Sequence, residues 1–185
     1  MILAAHSDAG INNKSKARSR AGSHIFLSEI DPKPEWNGAI LTISQIIKFV
    51  MSSAAEAELG AMCITAKEMV PIRQKLIEMV WEKPPSPIQT DNSTATGVVN
   101  KTIFQRKNKS MDLCFHWLRC CESQEHFQFY WDPSYLNWGY YSTKHHPSIY
   151  HTNHRPQFSG YVNIFKKNKN INEDKEHLSY SRSLF

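Results

Sequence analysis

The sequence predicts an α/β domain whose elements follow the order β-β-β-α-β-α-α-β-α. A chain of 185 residues has room for one core of ordinary size. Its 41% hydrophobic and 21% charged residues are the balance of a globular domain and exclude a disordered or membrane-embedded chain. Segments rich in β-branched and aromatic residues also alternate with segments whose apolar residues recur at helical spacing. These three observations indicate a sheet with helices packed against it.

The first three elements are predicted strands. Residues 1–5 are apolar and β-compatible, and we expect a long polar, basic loop over residues 6–23. Residues 24–28 and 39–47 are rich in Ile, Phe, Leu and Thr, and prolines and a glycine separate these two segments. Two further strands are therefore expected after the loop.

A long helix is predicted from Ser53 onward, because Ala, Met and Cys recur there at helical spacing. Ser53 and Glu56 have the spacing of a capping box, which gives Glu56 a structural role. Pro71 is expected to kink or interrupt the helix. The prolines that follow at positions 84, 85 and 87 forbid its continuation.

The remaining elements are shorter. Residues 88–90 form a predicted strand, which leads into a helix that Asn92 or Ser93 can cap. A further helix over residues 109–122 precedes an aromatic strand over residues 126–131.

The chain is expected to divide into a domain over residues 1–158 and a tail over residues 159–185. The tail is rich in Asn and Lys and poor in apolar residues, so we expect it to be disordered. The four cysteines show no C-x-x-C spacing, and we find neither a signal-peptide core nor an uninterrupted apolar stretch of membrane-spanning length. The expected location is intracellular, in cytoplasm or nucleus, without secretion and without a membrane partner.

Three acidic residues stand where strand ends and a helix face are expected to meet. Asp8 follows the first strand, Asp91 follows the fourth, and Glu58 lies in the long helix among small or apolar neighbours. Taken singly, Asp8 could be a turn residue and Asp91 a helix cap. Taken together, clustered carboxylates repel one another unless a cation neutralises them, and hard divalent cations prefer oxygen ligands. A magnesium site would explain all three residues.

Five segments of the sequence resemble, in the same order, the conserved blocks of copia-type ribonuclease H domains from retrotransposon polyproteins. The segments read AHSDA from Ala5, SRAG from Ser19, SSAAEAEL from Ser52, TDNSTA from Thr90 and KSMDLCFHWLR from Lys109. The resemblance covers the chain to about residue 158. It implies a five-stranded mixed sheet flanked by helices, with the first three strands antiparallel, and a domain that is normally linked covalently to a reverse transcriptase.

The resemblance also implies hydrolysis of the RNA strand of RNA–DNA hybrids with two magnesium ions. Asp8 would bridge both ions, while Glu58 and Asp91 would complete the second. The family's fourth acid lies in a segment similar to N-L-A-D-x-x-T-K. This chain has NWGYYSTK there, with Tyr140 at the aspartate position.

Tyr140 is expected to impair the site, because a phenol with a pKa near 10 is a poor magnesium ligand at neutral pH. The water-activating ion should therefore bind weakly or not at all, and cleavage should be weak or absent. Asp132 lies eight positions before Tyr140, so we do not expect it to replace the missing ligand. Trp138 and Gly139 also depart from the family, which indicates a degenerate copy of the element.

Basic residues favour a polyanionic partner. The formal net charge is +5 and the pI is about 9.0, and Lys and Arg that neutralise phosphates release counterions. An RNA–DNA hybrid or another nucleic acid is the predicted partner, although solvated loops would look the same. The candidate contacts are Arg18, Arg20, Asn92, Arg106 and Lys109.

Two other functions stay open. The domain could be a catalytically dead remnant that binds hybrid or duplex without cutting it. It could also be an integrase-like polynucleotidyl transferase, which would take its last acid from Glu122 or Glu125. The acid that lies beside Asp8 in the folded chain distinguishes the transferase from the ribonuclease.

Overall fold

A mixed sheet forms the centre of the computed structural model, which describes residues 1–29, 38–79, 84–100 and 112–158. Its spatial order is β3-β2-β1-β4-β5. The first three strands pair antiparallel, whereas β4 pairs parallel with both β1 and β5. The strands are β1 (Ile2–Lys14), β2 (Arg18–Ser28), β3 (Ala39–Ile46), β4 (Ser86–Thr90) and β5 (Phe127–Trp131). The predicted fold class is thereby confirmed.

Four α-helices flank the sheet within the described residues. They are α1 (Ala54–Met79), α2 (Ser93–Val99), α3 (Asp112–Ser123) and α4 (Ser148–Phe158). A 3₁₀ segment over Trp138–Ser142 precedes α4. None of the helices in these ranges combines the length and the apolar content needed to cross a bilayer. The predicted tail over 159–185 lies outside the described residues.

The loop predicted over residues 6–23 is wrong, because β1 and β2 form one long antiparallel hairpin. Their register runs from Ile2 opposite Ser28 to Gly10 opposite Arg20, and it shifts between Gly10 and Lys14. Small polar side chains in the hairpin, such as Ser7 and Ser23, are buried and form hydrogen bonds inside the protein instead of facing solvent. The hydroxyl of Thr65 in α1 lies within hydrogen-bond distance of the hydroxyls of Ser7 and Ser23.

Helix α1 continues through Pro71, so the predicted interruption is wrong, whereas the predicted kink stays a prediction. A proline inside a helix removes one backbone hydrogen bond, and here its ring lies on the exposed side. Met69 and Arg73 on either side are buried and keep the helix against the protein. The Arg73 guanidinium donates to Pro84 O at 2.8 Å and to Ser86 Oγ at 3.0 Å, which ties the second half of α1 to the start of β4.

The start of α1 confirms the predicted cap with one difference. The Glu56 N–H donates to Ser53 Oγ at 3.2 Å, as a capping box requires. The Glu56 carboxylate accepts from the N–H and the hydroxyl of Ser52, at 2.8 and 2.7 Å, rather than from the cap residue itself. Small side chains then allow α1 to lie close to the sheet, since Ala57, Ala61 and Ala66 are fully buried.

The 3₁₀ segment lies directly on the backbone of β1 and β2. A Cβ atom at Gly139 would lie 2.9 Å from Asp8 N and 3.0 Å from both Gly22 O and His6 O. Asn137 holds the segment in place, since its Nδ2 donates to Ser7 O at 2.7 Å and its Oδ1 accepts from Gly139 N at 2.9 Å. Close backbone approach at Gly139 therefore fixes where residues 140 to 144 lie relative to Asp8.

Replacing Gly139 by alanine should destabilise the domain, because the added methyl group meets backbone atoms that cannot move aside cheaply. We expect a loss of about 1–3 kcal/mol in the free energy of unfolding, measured by urea denaturation. Gly10→Ala is the control, because the nearest atoms to its new Cβ belong to the Asn13 side chain, which can rotate, and the backbone atom Thr143 O lies farther away at 3.1 Å. Equal losses in the two variants would contradict this account.

Candidate metal centre and the surrounding cleft

Three carboxylates from distant parts of the sequence meet at one edge of the sheet. Asp8 lies in β1, Glu58 in the first half of α1, and Asp91 directly after β4. One oxygen atom from each of the three lies within 4.8 Å of the others. Oxygen ligands at such separations are the kind that a hard divalent cation takes in proteins. The sequence prediction that these acids converge agrees with this geometry.

The parallel pairing of β1 with β4 explains why Asp8 and Asp91 share an edge. Ala5 lies opposite Ile88 and His6 opposite Gln89, so both strands continue towards the same side of the sheet. The Glu58 carboxylate, which α1 supplies, contacts both strands. Its Oε1 accepts from Ala9 N at 2.9 Å, and its Oε2 accepts from the Thr90 hydroxyl at 3.0 Å.

Burial makes the carboxylates costly to ionise together. Asp8 is 3% exposed and Glu58 is 5% exposed. The pKa of Asp8 is raised to about 6, because burial raises it more than the hydrogen bond from Thr143 lowers it, and the Asp91 carboxylate adds to the rise. Burial, and then the charges of Asp8 and Asp91, raise the pKa of Glu58 well above its ordinary value. Burial also raises the pKa of Asp91. A bound cation would offset this repulsion.

Two threonines support the acids, and no role was predicted for either of them from the sequence. The hydroxyl of the fully buried Thr143 donates a hydrogen bond to Asp8 Oδ2. Thr90 holds Glu58 from the end of β4. Thr143 stood in the family-like segment NWGYYSTK and Thr90 in the family-like segment TDNSTA, but neither segment indicated which carboxylate its threonine contacts. Both residues orient carboxylates.

The acids form part of a cleft of about 600 Å³. Aromatic residues make up much of the remaining lining, namely Tyr135, Trp138, Tyr140, Tyr141 and Tyr150. Rings stack one above the other along this side: His146 lies 4.3 Å from Tyr150, and Tyr150 lies 3.7 Å from His154, between ring centroids. The cleft is therefore lined by carboxylates and by aromatic rings.

Tyr140 lines the cleft that contains the three acids. Its ring is half-buried, and the Lys144 ammonium lies 4.1 Å from the ring centroid. The charge of Lys144 also lowers the pKa of Asp8 and of Asp91 against the larger effect of burial. A phenol and an ammonium thus line the same cleft as the three carboxylates.

No other acid of the described residues joins the cluster. Asp132 follows β5, and its N–H donates to Thr90 O at 3.2 Å. Glu125 is exposed in the turn before β5, with a φ of 57°. Glu58 rather than Glu122 or Glu125 therefore lies beside Asp8, which argues against an integrase-like arrangement.

Three of the predicted nucleic-acid contacts are described by the structure, and none of these three lines the cleft. Arg18 donates to Ser15 O at 3.2 Å, and Arg20 donates to Ser44 Oγ at 3.3 Å. Asn92 caps α2, because its Oδ1 accepts from Ala95 N at 3.0 Å. Arg106 and Lys109 lie outside the described residues.

Comparisons with known proteins find one sequence relative and several solved structures with the same fold. No protein-family model matches the chain. A retrovirus-related Pol polyprotein from transposon TNT 1-94 of Nicotiana tabacum is 25% identical over 118 residues, which cover 64% of this chain. The match spans 8% of the length of that polyprotein.

Solved structures of ribonucleases H have the same fold. A ribonuclease H1 isolated from compost by a metagenomic approach superposes with a TM-score of 0.54 at 13% identity, over 74% of this chain and 87% of the other. The N-terminal ribonuclease H domain of a Mycobacterium tuberculosis protein gives 0.52 at 11% identity, over 73% and 84%. The compost enzyme in complex with an RNA/DNA hybrid also gives 0.52, at 11% identity over 74% and 88%.

Proposed function

We propose that the chain is a ribonuclease H-type domain of a retrotransposon polyprotein and that it is an impaired, metal-dependent nuclease acting on the RNA strand of RNA–DNA hybrids. The observation that carries the proposal is the convergence of Asp8, Glu58 and Asp91 to within 4.8 Å. These are the oxygen ligands that phosphoryl-transfer chemistry with divalent ions needs.

Asp8, Glu58 and Asp91 would hold magnesium, which supplies Lewis-acid stabilisation at phosphorus and activation of water when it is bound. The chain's own contribution is to position the ligands. Glu58 is fixed between Ala9 and Thr90, and the hydroxyl of Thr143 orients Asp8. The chemistry of this donor set fits magnesium, because all three ligands are carboxylates and the pocket is open to solvent on one side.

We propose that Tyr140 is the cause of the impairment. The phenol brings no negative charge to the cleft at neutral pH, and its ring instead holds the Lys144 ammonium. The acidic cluster thus has one ligand fewer than the four that the resemblance implies. Binding of one magnesium ion, or weak binding of two, is the expected state.

We propose an RNA–DNA hybrid as the partner. The fold matches that of a ribonuclease H1 solved in complex with an RNA/DNA hybrid, and the sequence relative is a Pol polyprotein. A copia-type element, a covalent link to a reverse transcriptase and an intracellular location are parts of the same proposal. Arg18 and Arg20 remain candidates for contacts with phosphates at the turn end of the hairpin.

Cleavage of a labelled RNA–DNA hybrid by the purified chain tests the proposal. We expect slow cleavage of the RNA strand in magnesium, complete loss with a chelator, and complete loss in Asp8→Asn. Duplex DNA of the same sequence should stay intact. Cleavage that survives both the chelator and Asp8→Asn would show that the acidic cluster is not the catalytic site.

A second candidate function is nucleic-acid binding without cleavage, which the tyrosine at position 140 favours. Fluorescence anisotropy with the same hybrid distinguishes it, because a binding remnant would retain affinity in magnesium and in chelator alike. Its affinity should fall as salt rises, with a slope set by the number of phosphates contacted. Binding with no cleavage at any metal concentration would support this candidate over the impaired nuclease.

A further inference from the structure

Strand β3 forms one edge of the sheet, because it pairs with β2 and with no other strand of the described residues. Edge strands of monomeric proteins are usually protected by lysine or proline, since their outer N–H and C=O groups can pair with a further strand. Residues 38–47 contain neither a charged residue nor a proline. The sequence of β3 therefore has no protection of this kind.

The opposite edge of the sheet differs from β3. Strand β5 has five residues, whereas β3 has eight. The Asn100 side chain donates to Phe129 O at 3.1 Å, so a carbonyl of β5 is already occupied. Helices α2 and α3 also contact β5. Of the two edges, β3 is thus the longer and the better suited to pair with another strand.

The outer side of β3 follows from its hydrogen bonds to β2. Residues 41–46 pair with β2 without a register shift, and Ile47, which comes next, donates its N–H to Ser19 O at 2.9 Å. Hydrogen-bonded and non-hydrogen-bonded pairs alternate along antiparallel strands, so every second residue of this run directs its backbone groups away from β2. The residues whose N–H and C=O groups point outward are Thr42, Ser44 and Ile46.

Apolar side chains adjoin this outer edge. Ile40 and Ile46 are 49% and 38% exposed, and Phe49 and Val50 after the strand are 63% and 61% exposed. Ile43, in contrast, is buried in the core. Association that covers such a patch is favourable, because it removes apolar surface from water.

The sequence of β3 is nearly symmetric about Ile43. An isoleucine lies three residues away on each side, at positions 40 and 46, and a hydroxyl residue adjoins Ile43 on each side. Antiparallel pairing of two copies about this residue places Thr42 of one opposite Ser44 of the other. Both of these residues direct their backbone groups outward, so the pairing forms hydrogen-bonded pairs. The strand is therefore complementary to a second copy of itself.

We propose that β3 is the interface of a symmetric dimer, in which two copies of this chain pair antiparallel about Ile43. The outer N–H and C=O groups of each strand then have partners, and opposed isoleucines and opposed hydroxyl side chains stabilise the pair. A register centred on Ser44 would satisfy the backbone equally, but it would place Lys48 opposite Ile40. The run that pairs about Ile43 contains no charged residue.

Such a dimer is closed, because each copy contributes one β3 edge and the two-fold axis uses both. Strand β2 separates β3 from β1, so the pairing leaves the candidate metal centre accessible in both copies. One strand from each copy makes a small interface, and we expect a reversible dimer with a Kd of about 10–100 µM. Dimerisation of this kind does not require the nuclease activity proposed above.

Sedimentation equilibrium of the full chain tests the oligomeric state, and a monomer–dimer equilibrium in this range of Kd is the expected result. Hydrogen exchange followed by NMR tests the edge itself. The amides of Thr42, Ser44 and Ile46 should become protected as the protein concentration rises, because only the second copy supplies their acceptors. The amides of Ile43 and Gln45 face β2 and should be protected at every concentration.

Two substitutions at the edge should weaken the dimer. Thr42→Pro removes an outer N–H from each copy, leaves the pairing with β2 in place and should raise Kd at least about tenfold. Ile46→Lys should have an effect of similar size, because it places an ammonium opposite Ile40 of the second copy. Ile149→Lys is the matched control, since it removes an isoleucine that is 70% exposed on α4 and should leave Kd unchanged.

Three results would overturn the proposal. One is a chain that stays monomeric at about 1 mM. Another is a dimer that Ile149→Lys weakens as much as Ile46→Lys does, since association would then be nonspecific. The third is a dimer in which the amides of Thr42 and Ser44 exchange as fast as in the monomer. Circular dichroism checks the fold of each variant, and the exchange experiment on the wild-type chain decides the question even where a variant misfolds.

Discussion

Replacing Tyr140 by aspartate should raise magnesium-dependent cleavage of an RNA–DNA hybrid by about a hundredfold, equivalent to about 2.7 kcal/mol of activation free energy. The substitution places a carboxylate in the cleft that already contains Asp8, Glu58 and Asp91. A fourth oxygen ligand would strengthen binding of the water-activating ion. Single-turnover cleavage rates over a magnesium titration provide the measurement.

Two matched variants separate charge from shape. Tyr140→Asn has almost the same size as Tyr140→Asp but no charge, and it should gain little activity. The double variant Tyr140→Asp with Asp8→Asn should lose the gain entirely. If Tyr140→Asp folds normally and cleaves no faster than the wild-type chain, the tyrosine is not the cause of the impairment.

The second large effect concerns stability in the absence of divalent cations. The free energy of unfolding of Asp8→Asn at pH 8 should exceed that of the wild-type chain by up to about 3 kcal/mol. Burial raises the pKa of Asp8 from 3.8 to about 6, so the folded chain favours the protonated, neutral form. The stabilising contribution of that proton is complete below pH 3.8 and is lost as pH rises through about 6.

His6 changes stability in the opposite direction over part of the same range. Burial lowers the pKa of His6 to about 3, so its contribution to stability grows as pH rises from about 3 to 6.5. The wild-type curve combines both effects. The difference between the wild-type chain and Asp8→Asn isolates the carboxyl group, and urea denaturation at several pH values measures it.

Addition of magnesium should reverse the order of the two proteins. Ligands that bind only the folded state stabilise it, so the wild-type chain should gain stability with magnesium at pH 8 while Asp8→Asn gains none. Asp132→Asn serves as a control, since it removes a carboxylate outside the cluster and should follow the wild-type chain. Equal stabilisation of Asp8→Asn by magnesium would place the ion elsewhere.

The acids could be predicted from the sequence because their signals were local. Glu58 stood among small and apolar residues at helical spacing, and it is buried. Asn92 stood one residue before a helix, and it caps that helix. Each inference needed only the periodicity of a single element and the chemistry of one side chain.

The long hairpin and the supporting threonines could not be found in this way. Ser7 and Ser23 predict a loop by composition, and only their contact with Thr65, far along the chain, makes them buried strand residues. Thr143 likewise reaches Asp8 because Gly139 allows the backbones to approach. Tertiary contacts between distant segments decided these points, and a single sequence does not contain them explicitly.

The pairing of β1 with β4 has a consequence for synthesis. Ala5 pairs with Ile88, and Asp8 accepts a hydrogen bond from the hydroxyl of Thr143. The surroundings of Asp8 therefore depend on segments that lie far along the chain from β1. Contacts between such distant segments form late, because the chain must first close long loops. A ribosome-bound chain therefore cannot form the contact between Asp8 and Thr143 until residue 143 has left the exit tunnel.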